Sequence, residues 1–212
     1  MTQSAPIRFS TTDDREELYR AEVYGLLAQL FFAPPSDELY EQLRLAPTEA
    51  PAAGAFLERA WEQVVAAARR VEIAAARSEF DALFQGVGKP EIFLYASYYL
   101  AGSVNERPLV QLRDDLRSLG LARADGVEET EDHLACLCEV MRYLIAGDAA
   151  GEPGGDTLAT QRAFHAAYLR PWVDALFSDI AGHPHADFYA ALAGFARDFF
   201  SVEQQAFDLV DA

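Results

Sequence analysis

Residues 130–145 read TEDHLACLCEVMRYLI, and this stretch is the clearest indication of the fold. Its apolar side chains recur three and four positions apart, the spacing that places them on one face of an α-helix. Thr130 and the acidic residues beside it are typical of a helix start, where a hydroxyl caps free backbone N–H groups and the helix dipole favours negative charge. The stretch therefore predicts a helix capped by Thr130 that buries one apolar stripe, formed by Leu134, Leu137, Cys138, Met141, Leu144 and Ile145.

Helical spacing continues on both sides of this stretch, and prolines and glycines mark where helices end. Pro34-Pro35 ends a first amphipathic helix over residues 13–32. An alanine-rich stretch over residues 55–85 is either one long helix or two helices broken near Arg70. Both alternatives give an all-helical protein.

The most apolar and aromatic stretch is IFLYASYYL, residues 92–100. By itself it is compatible with a buried strand, but no other part of the chain alternates with period two, and a single strand has no partner. We interpret it as a loop leading into a helix. Glycine and proline over residues 147–156 predict a flexible linker before the C-terminal helices. The expected fold is a single compact all-α domain, a helical bundle spanning residues 1–212.

Composition limits the classes of partner. The chain is 51% hydrophobic, enough for one sizeable core without metal or disulfide support. Seventeen basic and thirty-four acidic residues give a formal net charge of −17, which repels nucleic acid and anionic lipid and favours a cationic partner. No signal-peptide pattern and no membrane-length apolar run is present, so we expect a cytoplasmic protein without stable membrane insertion.

Metal and catalytic motifs are missing from the sequence. The Glu-x-x-His pairs of di-iron bundles do not occur, and His183-Pro-His185 alone offers too few ligands for a zinc site. Gly86-Val-Gly88-Lys89 lacks the spacing of a phosphate-binding loop, and no nucleophile elbow is found. Cys136 and Cys138 would point in different directions on a helix, which is unfavourable for a disulfide or a shared metal. We therefore predict no metal, no catalytic residue and no enzyme activity.

Two clusters remain as candidates for a binding function. Asp132-His133 follows a run of acidic residues, and spacing alone favours first-turn surface positions for both. Tyr95, Tyr98 and Tyr99 add hydroxyl groups to an apolar run, and each hydroxyl requires a hydrogen-bond partner or water. An apolar wall with hydroxyl tips suits a peptide-binding groove.

These segments resemble the TorD/DmsD family of redox-enzyme maturation chaperones over nearly the whole chain. Four blocks occur in the family's order: FDALFQG at 80–86, YASYYL at 95–100, ETEDHL at 129–134, and Trp172 followed by FYAAL at 188–192. The resemblance implies an all-helical cytoplasmic protein without catalytic activity. It also implies that contacts with a client or its leader are made by Phe80, Leu83, Tyr95, Ser97, Glu129, Asp132 and His133. Leu94-Tyr95 stands where related members have proline-tryptophan, which indicates a different leader specificity.

The partner that the resemblance implies is the apo-form of a molybdopterin-dependent oxidoreductase, bound through its catalytic subunit and its twin-arginine leader. Two guanidinium groups followed by an apolar stretch complement an acidic helix start beside an aromatic groove. Asp132 would hold one arginine, while His133 would orient neighbouring groups or change charge near neutral pH.

Two other functions stay open at this point. A chaperone of a non-exported cytoplasmic molybdoenzyme, of the nitrate reductase or formate dehydrogenase type, would bind a peptide without paired arginines. A nucleotide hydrolase would need a phosphate-binding loop, which is missing. No resident cofactor is expected, although the resemblance allows weak guanine-nucleotide binding, and the chain is expected to be a monomer or a weak homodimer.

Overall fold

The computed structural model describes residues 12–48, 57–86, 89–104, 107–124, 126–146 and 157–209. Over these residues the chain is helical and contains no β-strand, so the predicted all-α class is confirmed. The helices are α1 (Thr12–Phe32), α2 (Asp37–Leu45), α3 (Glu58–Arg70), α4 (Ile73–Phe80), α5 (Ala96–Ala101), α6 (Arg107–Ser118), α7 (Leu134–Ala146), α8 (Thr157–Tyr168), α9 (Val173–Ala181) and α10 (Phe188–Leu209). The predicted linker 147–156 lies outside the described residues, and a single domain over 1–212 stays a prediction.

Helix ends follow the local chemistry of the sequence. α1 ends at Phe32, two positions before Pro34, and the Ser36 hydroxyl accepts a hydrogen bond from Leu39 N–H at 3.1 Å to cap α2. The alanine-rich stretch is two helices, because α3 ends at Arg70 and α4 begins at Ile73. The second of the two alternatives is therefore correct.

A π-helical turn, Asp81–Gln85, continues α4 and redirects the chain towards the aromatic segment. Gly86 follows it with φ of 47°, and a Cβ atom there would lie 2.3 Å from the Lys89 carbonyl oxygen. Only glycine fits this backbone conformation and this close approach. Ile92 N–H then donates to the Leu83 carbonyl oxygen at 2.9 Å, which fixes the returning chain against the turn.

One continuous hydrophobic core joins the helices, with α1 packed on α7, and α10 packed on α3 and α9. Aromatic rings fill much of it: Tyr24 meets Phe199 edge-on with ring centroids 4.9 Å apart, and Phe84 meets Tyr189 at 5.2 Å. Such edge-to-face pairs add to the stabilisation that comes from burying the rings. None of the described helices is long and apolar enough to cross a membrane.

Two buried carboxylates connect distant parts of this core. Glu79 accepts hydrogen bonds from the N–H groups of Asp187, Phe188 and Tyr189 at 2.8, 3.1 and 2.7 Å. It thereby satisfies the free donors at the start of α10, which its negative charge also suits.

The second carboxylate, Glu203 on α10, binds α1. Its carboxylate accepts hydrogen bonds from Nε and Nη2 of Arg20, at 2.6 and 2.8 Å, and from the Tyr24 hydroxyl at 3.1 Å. The paired geometry of a guanidinium and a carboxylate fixes the relative position of the two longest helices.

Candidate functional site

Two segments that the sequence marked separately lie side by side. Leu134 N–H donates to the Leu94 carbonyl oxygen at 2.8 Å, and Ala96 N–H donates to the Asp132 carbonyl oxygen at 3.0 Å. These two bonds form a short antiparallel bridge between Tyr95 and His133. The structure therefore brings four of the predicted site residues together: Tyr95, Ser97, Asp132 and His133.

Asp132 is not the surface residue that spacing alone favoured, because only 1% of it is exposed. One carboxylate oxygen accepts the Ser97 N–H at 3.0 Å, and the other accepts the Thr130 hydroxyl at 2.6 Å. α5 has no capping side chain of its own, since Tyr95 precedes it. Asp132 thus caps α5 from a different part of the chain, a function that local helix patterns do not reveal.

His133 occupies the cap position of α7. The prediction that Thr130 caps this helix is wrong, because α7 begins at Leu134 and the Thr130 hydroxyl donates to Asp132 instead. The Nδ1 atom of His133 accepts a hydrogen bond from Ala135 N–H at 3.2 Å. Ring Nδ1 therefore does what a capping oxygen usually does.

Burial controls the charge of His133. It lowers the pKa to about 4, although the nearby carboxylates of Glu129 and Asp132 act in the opposite direction. The imidazole is neutral at pH 7. The predicted change of charge near neutral pH is therefore wrong, and the orienting function is the one consistent with the geometry.

Two further predicted residues, Phe80 and Leu83, lie beneath the surface, as Ser97 does. Phe80 and Leu83 are 2% and 0% exposed, and the Phe80 ring packs against those of Phe84 and Tyr189 at centroid distances of 5.2 and 5.8 Å. Ser97 is also fully buried. These side chains support the site from below, and their direct contact with a leader stays a prediction.

Tyr95 and Glu129 are the half-buried members of the predicted set. The Tyr95 hydroxyl donates to the Glu129 carboxylate, and burial together with this hydrogen bond raises the pKa of Tyr95 well above its usual range. Both side chains line a small cleft with His133, Phe93 and Phe32. The small cleft therefore contains the Glu129 carboxylate, which the Tyr95 hydroxyl holds in place, beside the exposed ring of Phe32.

A larger cleft of about 380 Å³ adjoins the first, and the sequence motifs described above do not predict it. It lies between the end of α1, α6, the chain over 121–124 and 127–131, and the start of α7. Phe32 lines both clefts and is 46% exposed, although a large apolar side chain would ordinarily be buried. The lining is mostly apolar and includes Ala28, Phe32, Leu121, Val127, Cys136 and Val140.

The single sequence signal for this cleft was Phe32, an apolar residue placed just before the Pro34-Pro35 helix stop. The remaining wall comes from segments that only the tertiary fold assembles. Burial raises the pKa of the Cys136 thiol in this wall to about 11, so the group is a protonated, unreactive apolar surface at pH 7.

The acidic rim of these clefts is only partly neutralised. Arg113 binds Glu131 at 2.9 Å, and although burial acts to raise the pKa of Glu131, this contact makes the net shift downward. Arg123 donates to the backbone carbonyl oxygens of Val127 and Glu129 at 2.7 and 3.2 Å, which holds the loop in shape. Glu128 is exposed, and its carboxylate has no ion pair among the described residues.

Comparison with known proteins gives consistent matches. The family model described as nitrate reductase delta subunit matches residues 50–178. The chaperone protein TorD of Vibrio cholerae serotype O1 (strain ATCC 39541) is 26% identical over 205 residues, covering 89% of this chain and 92% of that protein. TorD of the El Tor Inaba strain N16961 is equally similar.

A solved structure from Archaeoglobus fulgidus, described as a candidate redox enzyme maturation protein, superposes with a TM-score of 0.57 at 15% identity. The match covers 94% of this chain and 99% of the other, and it shows a shared fold. Since the family model covers more than half of the 212 residues, the protein belongs to the nitrate reductase delta subunit family, the TorD-like chaperones of redox-enzyme maturation.

Proposed function

We propose that this chaperone acts in the cytoplasm on the apo-form of a molybdopterin-dependent oxidoreductase and binds its twin-arginine leader at the two adjoining clefts. The observation that carries the proposal is their junction at Phe32, where a 380 Å³ apolar cleft meets a cleft that contains Tyr95 and Glu129. A leader has the same two parts in sequence, a pair of guanidinium groups and an apolar stretch. A binding function of this kind needs neither a catalytic residue nor a cofactor.

The two halves of the leader would bind different residues. Glu128 and Glu129 offer carboxylates at the surface, and guanidinium groups form strong charge-assisted hydrogen bonds with carboxylates. The apolar stretch would lie in the larger cleft against Phe32 and Val140. Burying it there is favourable by about 25 cal/mol for each Å² of apolar surface removed from water.

The other predicted contact residues have a positioning function in this proposal. Asp132 and Ser97 fix the start of α5 directly after Tyr95, and His133 fixes the start of α7. Phe80 and Leu83 support the segment from the core. The proposal requires no second subunit, because residues of one chain line both clefts, and a monomer or weak homodimer stays the expected state.

A second candidate is a chaperone of a non-exported molybdoenzyme. The description of the matching family as nitrate reductase delta subunit favours it. Such a client would present an apolar segment to the same larger cleft without paired arginines. The two candidates therefore differ in what happens at Glu128 and Glu129, and one titration separates them.

We expect calorimetric titration with a leader peptide, taken from a molybdoenzyme encoded beside this protein's gene, to give an affinity that falls as salt rises. Screening shortens the reach of exposed charges from roughly 8 Å at physiological ionic strength to about 3 Å at 1 M. Replacing both arginines of the peptide by glutamine should weaken binding roughly tenfold, which corresponds to about 1.4 kcal/mol. Lysine should cost less, because it keeps the charge and loses the bidentate geometry.

Binding that is independent of salt and of the arginines would contradict the leader proposal and favour the non-exported client. Glu128→Gln with Glu129→Gln supplies the matching change on the protein. It should reduce the salt dependence while leaving a residual affinity from the apolar contact.

The apolar half is tested separately by Val140→Asp. This half-buried side chain lines the larger cleft, and a charge there should weaken binding roughly tenfold or more, because the carboxylate must lose water when the peptide binds. Val110→Asp is the matched control, since Val110 is 60% exposed on α6 and does not line the cleft. Equal affinities of the two variants, at equal stability, would place the apolar contact elsewhere.

A further inference from the structure

Three potential metal ligands meet on the surface where the chain before α5 approaches the connection between α9 and α10. The Nε2 atom of His183 lies 2.8 Å from Oε2 of Glu91, and Nδ1 of His185 lies 3.9 Å from the same oxygen. The ligand atoms of all three residues fall within 4.8 Å of one another. In the part of the chain that the structure describes, no other cluster of three such residues does so.

The distances are close to those that a bound ion requires. Two ligands at about 2.1 Å from a tetrahedral zinc ion are themselves about 3.4 Å apart. Of the two nitrogen-to-Glu91 separations, one is shorter than this and the other is longer, and the two histidine nitrogens lie within 4.8 Å of each other, so small side-chain rotations suffice. Since 46% of the Glu91 side chain and 65% of the His185 side chain are exposed, these rotations meet little steric resistance.

The donor set also indicates which metal fits. Two imidazole nitrogens and one carboxylate oxygen match the ligands that Zn²⁺ commonly takes, whereas Mg²⁺ and Ca²⁺ prefer all-oxygen sites. Three protein ligands leave the fourth position to water on the exposed side. Coordination by Nε2 of His183 places the ring proton on Nδ1 and gives up its contact with His185 N–H, which is long at 3.3 Å and exposed.

The His183–Glu91 contact alone does not account for the cluster. A hydrogen-bonded pair would explain His183, but the exposed His185 ring is directed at the same carboxylate with its Nδ1 atom. Pro184 between the two histidines restricts the backbone that holds both rings on one side. The sequence predicts no zinc site here because two histidines alone offer too few ligands, and the fold supplies Glu91 as the third.

We propose that Glu91, His183 and His185 form a surface Zn²⁺ site that joins the segment before Tyr95 to the connection between α9 and α10. The ion would restrict the motion of the chain that leads into the candidate binding site, and it would not contact a client. The site is independent of which client the chaperone binds. It also needs no residue of the two clefts.

Calorimetric titration of ZnCl₂ into chelator-treated, dialysed full-length protein should show one saturable site per chain. Zinc at a hundredfold excess over its dissociation constant should raise the melting temperature by roughly 5–10 °C, because ligand binding to the folded state alone stabilises it by mass action. Co²⁺ in place of zinc should give the visible absorption of a tetrahedral nitrogen and oxygen site, without the sulfur-to-metal band of a thiolate.

Two variants and two controls make the assignment specific. His185→Gln leaves the Glu91–His183 contact in place, and Glu91→Gln keeps a similar side chain without its charge. Each variant should weaken zinc binding at least tenfold, because replacing a residue that merely orients a metal ligand already costs about 10–100-fold in affinity. Cys136→Ser and Glu41→Gln, which change a thiol and an exposed carboxylate elsewhere, should leave it unchanged. Zinc binding that survives His185→Gln, or no saturable binding at all, would overturn the site.

Discussion

Lowering the pH from 7 to 5 is expected to reduce the free energy of unfolding by about 4 kcal/mol, with about 2 kcal/mol from each of two buried histidines. Burial lowers the pKa of His133 and of His165 to about 4, whereas an imidazole in the unfolded chain titrates near 6.5. Between these values the unfolded chain binds more protons than the folded one. The stabilisation is therefore complete above about pH 6.5 and is lost as the pH falls towards 4.

The surroundings of both imidazole rings support a lowered pKa. His133 faces the carboxylates of Glu129 and Asp132, which raise its pKa but do not overcome burial. His165 stacks on Phe200 and packs at a tilt against Phe207, and its Nε2 atom has no hydrogen-bond partner among the described residues.

The charges around His165 act in both directions on its pKa. Glu203 and Asp208 raise it, while Arg170 and Arg20 lower it, and burial remains the largest cause. A proton on this ring would be a buried charge without a partner, which is costly.

Urea unfolding at half-unit steps between pH 7 and 5 measures the loss of stability. This pH range lies above the pKa values of most carboxylates, so the histidines dominate the titration. His133→Asn keeps an acceptor for Ala135 N–H, and His165→Gln keeps a polar group of similar reach. Each variant should remove about half of the pH dependence whatever its own stability, and the double variant nearly all of it. A stability that stays constant from pH 7 to 5 in the unmodified protein would show that neither ring is neutralised by burial.

The helices could be predicted from the sequence because their signals are local. The proline pair after α1 and the apolar spacing along α7 each depend only on neighbouring residues, and the structure has a helix in both places. The predicted loop leading into a helix over 92–100 is confirmed, since α5 begins at Ala96.

The site could be predicted only as a set of residues, without its geometry. Asp132 reads as a first-turn acid because its partner, Ser97 N–H, lies 35 positions away. Glu79 gives no local sign that it caps α10, more than 100 positions later. The larger cleft has the same origin, since its walls come from α1, α6 and α7. Tertiary contacts therefore determine which of the predicted residues reach the surface.

The difference between the expected surface position and the buried position in the structure has its largest energetic consequence at Asp132. A first-turn surface acid would cost about 1 kcal/mol or less to replace, so that Asp132→Ala would affect binding far more than stability. The carboxylate is instead buried and accepts two hydrogen bonds, from Ser97 N–H and from the Thr130 hydroxyl. Removing it leaves a buried donor unsatisfied, and we expect Asp132→Ala to lower the free energy of unfolding by about 3 kcal/mol.

Asp132→Asn separates a positioning function from a direct ionic contact with a client arginine. An asparagine can still accept the Ser97 N–H through its oxygen, while its amide group donates to the Thr130 hydroxyl, so the stability loss should fall to about 1 kcal/mol. If Asp132 acts by holding α5 and Tyr95 in place, Asp132→Asn should bind the leader peptide nearly as well as the unmodified protein. Glu128→Ala, at an exposed acid, should show the reverse pattern, unchanged stability and weaker binding. Urea unfolding and calorimetric titration on the same preparations measure both quantities. A large loss of affinity in Asp132→Asn at nearly unchanged stability would mean that the buried carboxylate becomes accessible and binds the client's arginine itself.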